Sequence, residues 1–344
     1  MIRRSVTPAT GDFESVRGSI VCRDVSITSP TESITIRRGA LVDEALWQTV
    51  AGDPSATLDV VIPEDGEIEQ GETSWTFAQS IAGENVVVER PHQGQCILRA
   101  ATPGLLRVSG TQVSRVNRRG TILLATALDG RVVTEGDTLA IVKAASLWTR
   151  SEDLRRSLRI SRREPIFRVA RFIARSAAFL AGSRIRSRNF SIAQSNLRRM
   201  LGSFGGNLAL TRQIADDPDT ISHEYRKAMA LGADVVLVGG SIVLDPGDPF
   251  VVALEGVGGR LVCRGAPVDP GTMFWVAYAG STVFLGLASC ELYGRKTVFD
   301  LVLPYVMAKE ELSTTLLGEL GYGGLLAQTF AARRTNIQAH APGD

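Results

Sequence analysis

The chain has 344 residues, 44% of them hydrophobic and 22% charged, with a formal net charge of +2. This is the profile of a globular protein with more than one core, and it excludes a disordered or fibrous chain. No apolar run reaches the ~20 residues that span a bilayer, and "MIRRSVTPATGDFESVRG" lacks the apolar core of a secretory signal, so a cytoplasmic protein without a transmembrane segment is expected.

Residues 1–80 alternate short β-branched runs such as "SITIRRGALV" and "ATLDVVIP" with turn residues. They read as a small α/β or mostly β unit, with "LVDEALWQTVAG" as its helix. Residues 81–147 are β-rich, with strands expected in "VVVERPHQGQCILRA", "GLLRVSGTQVSRVN", "GTILLATALDGRVV" and "GDTLAIVK", and a hairpin turn at Asp129-Gly130. The closing "GRVVTEGDTLAIVK" resembles the last strands of biotinyl-lipoyl-like half-barrels, but no lysine flanked by methionines supplies a swinging arm.

Residues 148–188 read as a basic helical linker, in which Ile166, Val169, Ala170, Ile173, Ala177 and Leu180 recur at helical spacing while Arg168, Arg171 and Arg175 fall on the other flank. From Arg150 to Arg199 there are fourteen arginines against Glu152, Asp153 and Glu164, so this segment is basic and the remainder acidic. Such a helix suits a membrane surface or nucleic acid, or else packs with its arginines solvated. No aromatic residue is spaced to stack on bases, which argues against a nucleic-acid partner.

Residues 189–330 alternate strand and helix: "FSIAQ", "SNLRRMLGSFG", "GNLALTRQI", "DDPDTISHEYRKAMALGA", "DVVLVGG", "RLVCR", "TVFLGLA" and "RKTVFDLVLPYVMAKEEL". The fold class expected is α/β, a three-layer, mostly parallel sheet domain in the C-terminal half preceded by a mostly β region. Residues 331–344 read as a flexible tail.

Ligands of open parallel sheets bind beyond the carboxyl ends of the strands, and three loops have that placement. In "GGSIVLDPGDP", Gly239, Gly240 and Ser241 offer backbone and hydroxyl donors to an anion. Asp245 reads as a Mg²⁺ ligand or as a turn residue, and Asp248, before Pro249, as a second ligand or as a helix cap. In "RGAPVDPG", Asp269, Pro270 and Gly271 form a turn or a wall of the site. In "FLGLASCELYGRK", Gly286 ends a strand and Ser289, Cys290, Arg295 and Lys296 suit a phosphate. A nucleophilic role for Cys290 lacks a nearby histidine in sequence. The scattered Cys22, Cys96, Cys263 and Cys290 show no CxxC spacing, and His92, His223 and His340 form no zinc-type cluster.

The order strand, Gly-Gly-Ser, two aspartates, "ALEGVGGRLVCRGAPVDPG", strand-Gly-Leu-x-x-Cys and "FDLVLPYVMA" resembles the molybdopterin-binding domain of molybdenum cofactor biosynthesis proteins. It is particularly similar to those molybdopterin-binding proteins that also occur fused to molybdenum cofactor nucleotidyltransferases, over about Gly18 to Leu326. The resemblance implies molybdopterin or molybdenum cofactor as ligand, with Mg²⁺, a client molybdoenzyme and a homodimer. It places Gly239, Gly240 and Ser241 in the ligand loop, Asp245 and Asp248 at acidic positions that could be catalytic as in a molybdopterin molybdotransferase, and Asp269 to Gly271 in the wall. Two departures stand out: "LAS" (Leu287 to Ser289) replaces Leu-Pro-Gly, and "FSIAQSNLRRM" lacks the glycine and acid of nucleotide-handling relatives, which argues against adenylyl transfer. The alternatives are a non-catalytic cofactor-binding accessory or sensor module and a nucleotide-processing hydrolase on the same fold.

Overall fold

A strand without a polar face must be covered on both sides, and Val235–Gly239 is buried at every residue. It lies inside the sheet of the second of two units, Met1–Ala170 and Arg171 onward, in a computed structural model that describes residues 1–28 and 33–326. The tail expected over 331–344 lies outside the described residues.

In the first unit the elements are β1 (Ile2–Val6), β2 (Ile20–Val21), β3 (Val25–Thr28), β4 (Ser33–Ile36), α1 (Glu44–Ala51), β5 (Leu58–Ile62), β6 (Glu67–Glu69), α2 (Gln70–Ile81) and β7 (Val86–Val88). They continue as β8 (Gln95–Ala100), β9 (Gly104–Val108), α3 (Gly110–Arg119), β10 (Ile122–Thr126), β11 (Val132–Val133), β12 (Thr138–Ala144), β13 (Trp148–Arg150), α4 (Ser151–Leu158) and β14 (Phe167–Ala170). All sheets here are small and antiparallel; the largest has the order β10-β12-β8-β7. One core gathers around Trp47 of α1, another around Phe77 and Ile81 of α2.

Two expectations change in this unit. "GTQVSRVN" is helical, because only Val116 is buried in α3 and Gly120, at φ +72°, stops the helix in the left-handed conformation. A turn does form at Asp129-Gly130, but β10 pairs with β12 and β11 with β9, so no hairpin closes across it. Asp129 instead accepts from Val108 N at 2.7 Å.

The second unit contains β15 (Ser176–Ala181), α5 (Ser187–Gly202), β16 (Asn207–Gln213), α6 (Pro218–Ala230), β17 (Val235–Gly239), α7 (Pro249–Val252), β18 (Arg260–Arg264), β19 (Trp275–Ala279), β20 (Thr282–Leu287), α8 (Ser289–Leu292), α9 (Val298–Met307) and α10 (Thr314–Glu319). The sheet order is β16-β15-β17-β20-β19-β18. The first four strands are parallel, and β19 is antiparallel to both β20 and β18, so the sheet is mixed. Helices lie on both faces: Ala178, Leu180, Val236 and Val238 pack with Ile221 and Tyr225 of α6 and Phe250 of α7, while Phe179, of opposite parity, stacks on Phe190 of α5 at 5.5 Å.

The helix expected across 166–180 is replaced by two strands, β14 and β15. Their apolar residues fit a helical spacing as well as a buried-strand run, and periodicity does not separate the two over so few residues. Pairing on both edges, with β16 and β17, decides for the strand. "FSIAQ" consequently falls inside α5, whose Ala193, Leu197 and Leu201 recur every four residues on the buried side. Arg175 is buried and donates to Val306 O at 2.8 Å, a second donor for a carbonyl at the end of α9 that also accepts from Lys309 N.

Candidate functional site

Ala181, Gly239 and Leu287 sit in register across β15, β17 and β20, so the loops that follow leave one edge of the sheet together. The chain moves outward from β15 to β16 through α5, then returns through α6 to β17 on the other side of β15. That reversal falls between the β15–α5 and β17–α7 loops, the position at which ligands of open α/β sheets bind. Each loop begins on a glycine, and Gly240 has φ +94°. A side chain on Gly182 would come within 2.3 Å of Asp216 Oδ1, and one on Gly239 within 2.7 Å of Ile185 Cδ1, so the backbone must run bare there. Gly182 N donates to Gly239 O at 2.9 Å, and Ser183 N and Oγ donate to Asp216 at 3.0 and 2.5 Å.

The β15–α5 loop, "GSRIRSRN", lies outside the three loops expected from the sequence, because the first strand reads there as "FSIAQ". It carries Arg184, whose Nη1 lies 3.4 Å from Gly240 O, and Arg186, with Arg188 following in the first turn of α5. Arg186 precedes the sixteen-residue α5, and no side chain caps that helix. An uncapped helix start thus has three exposed arginines, Arg184, Arg186 and Arg188, close by in the chain, a composition that attracts anions. The loop after the first strand of this sheet is therefore not "FSIAQSNLRRM": it contains Gly182, and residues 182–189 contain no acid.

The first expected loop is built around a buried carboxylate. Asp248 is fully buried and accepts from Ser241 Oγ at 2.9 Å, Ile242 N at 2.6 Å, Phe250 N at 3.0 Å and Val251 N at 3.2 Å. Ser241 Oγ also accepts from Trp275 Nε1 at 2.9 Å. The carboxylate thus caps α7 and clamps the loop back onto it, which leaves no oxygen of Asp248 turned to a cation and no hydroxyl proton of Ser241 for a phosphate. Gly286 lies within β20, and a Cβ there would fall 1.9 Å from Trp275 Nε1; its role is to admit the indole that completes this chain of bonds. Asp245 is exposed, and its Oδ1 accepts from Gly247 N at 2.9 Å in a local turn.

The second loop touches the first and the start of α9. Arg264 Nη1 reaches the carbonyls of Val243 and Asp245 at 3.5 and 3.4 Å. Gly271, at φ +124°, passes so close to the start of α9 that a Cβ would lie 2.7 Å from Val298 Cγ1. Asp269, joined to Pro270 by a cis peptide, pairs through its backbone with Gly324 and Leu326 rather than through its carboxylate.

In the third loop Ser289, Arg295 and Lys296 are exposed and Cys290 is half-buried. Burial and the neighbouring Glu291 push the Cys290 thiol up, away from a nucleophilic thiolate. Glu291 itself escaped sequence reasoning. It is buried, one oxygen accepts from Ala288 N, and the other has no partner. Burial, aided by Asp300, pushes its carboxyl up to about 8, so it is neutral at pH 7. Only its place in "SCEL", directly after Ser289 and Cys290, could have drawn notice. Among the described residues no group of three or more His, Cys, Asp or Glu is placed to hold a metal ion.

No family model matches the chain, and no curated protein matches it. Solved structures with similar folds include the protein CinA, of unknown function, from Thermoplasma acidophilum, at 14% identity over 39% of this chain and 98% of that one, with a TM-score of 0.32. The molybdopterin biosynthesis enzyme MoaB from Thermus thermophilus matches at 17% over 38% of this chain and 91% of that one, with a TM-score of 0.28. The molybdopterin biosynthesis MoeA protein from Pyrococcus horikoshii matches at 11% over 73% of this chain and 80% of that one, with a TM-score of 0.32. Several of the neighbours are thus molybdopterin-biosynthesis proteins, at identities and scores that do not assign this chain to a family.

Proposed function

We propose that the protein binds a molybdopterin-type ligand between residues 182–186 and 240–248, and takes part in the biosynthesis, maturation or delivery of the molybdenum cofactor. The observation that carries this reading is the pair of glycine-led loops on either side of the chain reversal, with Arg184 spanning them and the uncapped start of α5 beside them. A phosphate-bearing pterin supplies the anion that such a cradle lacks. Asp245, exposed at the rim, is the carboxylate left to share a Mg²⁺ with the ligand's phosphate oxygens.

The test is retention of pterin by the purified chain, read as fluorescence after oxidative release, in wild type and in Arg184→Ala/Arg186→Ala. Retention by wild type and its loss in the variant are expected. No pterin on the wild type, together with no saturable binding of added molybdopterin, would sink the proposal.

A second reading, a non-catalytic accessory module, is favoured by the commitment of Asp248 to the fold. Asp245→Ala separates the two: loss of cofactor maturation with binding retained indicates an insertase-like enzyme, whereas a wild type that binds without maturing the cofactor indicates the module.

A further inference from the structure

The first unit holds a feature that the proposed function does not use. A cleft of about 740 Å³ opens between α3 and the turn after α4, and six arginines line it: Arg115, Arg118 and Arg119 from α3, and Arg159, Arg162 and Arg163 from the turn. Positions 115, 118 and 119 are three and four apart, which stacks their side chains on one helix face. Gln112 Nε2 donates to Ile160 O at 3.2 Å and ties the two walls together.

None of the six guanidinium groups has an ion pair or a side-chain hydrogen bond to another described residue, and no acid lines the cleft. The nearby acids are engaged elsewhere. Arg156 takes Glu152 and Asp153, the N-terminal ammonium takes Glu64 and Glu67, which share a second hollow with Arg119, and Glu164, though adjacent to Arg163, is not part of the lining. Six unpaired like charges around one concavity repel one another, and the arrangement becomes favourable when an anion with several charges enters. Guanidinium groups bind phosphate oxygens in pairs, which multiplies the gain for a ligand with more than one phosphate.

Size and lining narrow the ligand. Small-molecule sites run to roughly 300–1,000 Å³, a range that includes this cleft. Among the described residues Ile160 and Gln112 are the lining groups besides the arginines, and none of these offers an aromatic platform for a base. We infer that the cleft binds a compact small molecule carrying two or more phosphate groups, recognised through its phosphates.

The experiment titrates the full chain by calorimetry with inorganic triphosphate, inorganic phosphate and a twenty-nucleotide oligothymidylate, in wild type and in Arg118→Gln/Arg162→Gln. The inference expects triphosphate to bind one-to-one and at least about 100-fold more tightly than phosphate. It expects the double variant to lose at least about tenfold in triphosphate affinity, and wild-type affinity to fall steeply with salt. Both replaced residues are exposed and unpartnered, so the variant should keep the wild-type Tm and circular dichroism. Equal affinity for phosphate and triphosphate, or a variant that binds triphosphate like wild type, overturns the inference. Tighter binding of the oligonucleotide than of triphosphate also overturns it, in favour of a nucleic-acid surface.

Discussion

Glu291→Gln isolates one buried carboxyl and gives the sharpest physical test. The side chain is 1% exposed, and burial moves its titration from 4.5 to about 8, with Asp300 adding to the rise and the Ala288 amide opposing it. Because the folded state holds the proton that the unfolded state releases above about 4.5, the stability from this group is fully present at acid pH. It is lost as pH rises from about 4.5 through about 8. Each pH unit in that window removes about 1.4 kcal/mol, so the whole span amounts to ~5 kcal/mol and the interval from pH 5 to pH 7.5 to ~3 kcal/mol. Glutamine keeps the shape and the acceptor for Ala288 N but does not titrate. The assay is urea unfolding of both proteins at pH 5 and pH 7.5, since taking the difference between them cancels every other titrating group. Wild type should lose ~3 kcal/mol more than the variant over this interval, and the variant should be the more stable at pH 7.5. Parallel pH dependences in the two proteins would refute a buried, neutral Glu291.

Other expectations follow from the same unit. Asp248→Ala leaves the Ile242 and Phe250 amides and the Ser241 hydroxyl without their acceptor, while Val251 N keeps only the Asp248 carbonyl, and should cost about 3 kcal/mol in urea unfolding. If it left stability within about 0.5 kcal/mol of wild type, the clamp would not exist. Gly286→Ala drives a methyl into the Trp275 indole and should cost about 2–3 kcal/mol, with altered fluorescence from Trp275, the one tryptophan beyond residue 170. Asp217→Ala removes the cap of α6, which accepts from Thr220 N at 2.9 Å, and should lower stability by about 1 kcal/mol in the same assay.

Local signals decided much of this protein before any tertiary contact was considered. The unbroken apolar run at Val235–Gly239 and the helix in "DDPDTISHEYRKAMALGA" are set by neighbouring residues, and each stands where its chemistry requires. The loop after β17 was legible for the same reason. What the sequence left undecided was whatever depends on distant partners. Ser176–Ala181 became a strand only because β16 and β17 flank it, and that choice moved the site toward Gly182 and Arg184. Asp248 reads equally as ligand or cap until Trp275, through Ser241, joins the same network. Gly286 looks like a ligand glycine until the indole appears beside it, and Glu291 looks like a surface acid until it is found buried. The arginines at 115–119 and 159–163 are two ordinary charged runs along the chain; the turn after α4 folds them around one cleft, and proximity in space makes them a site.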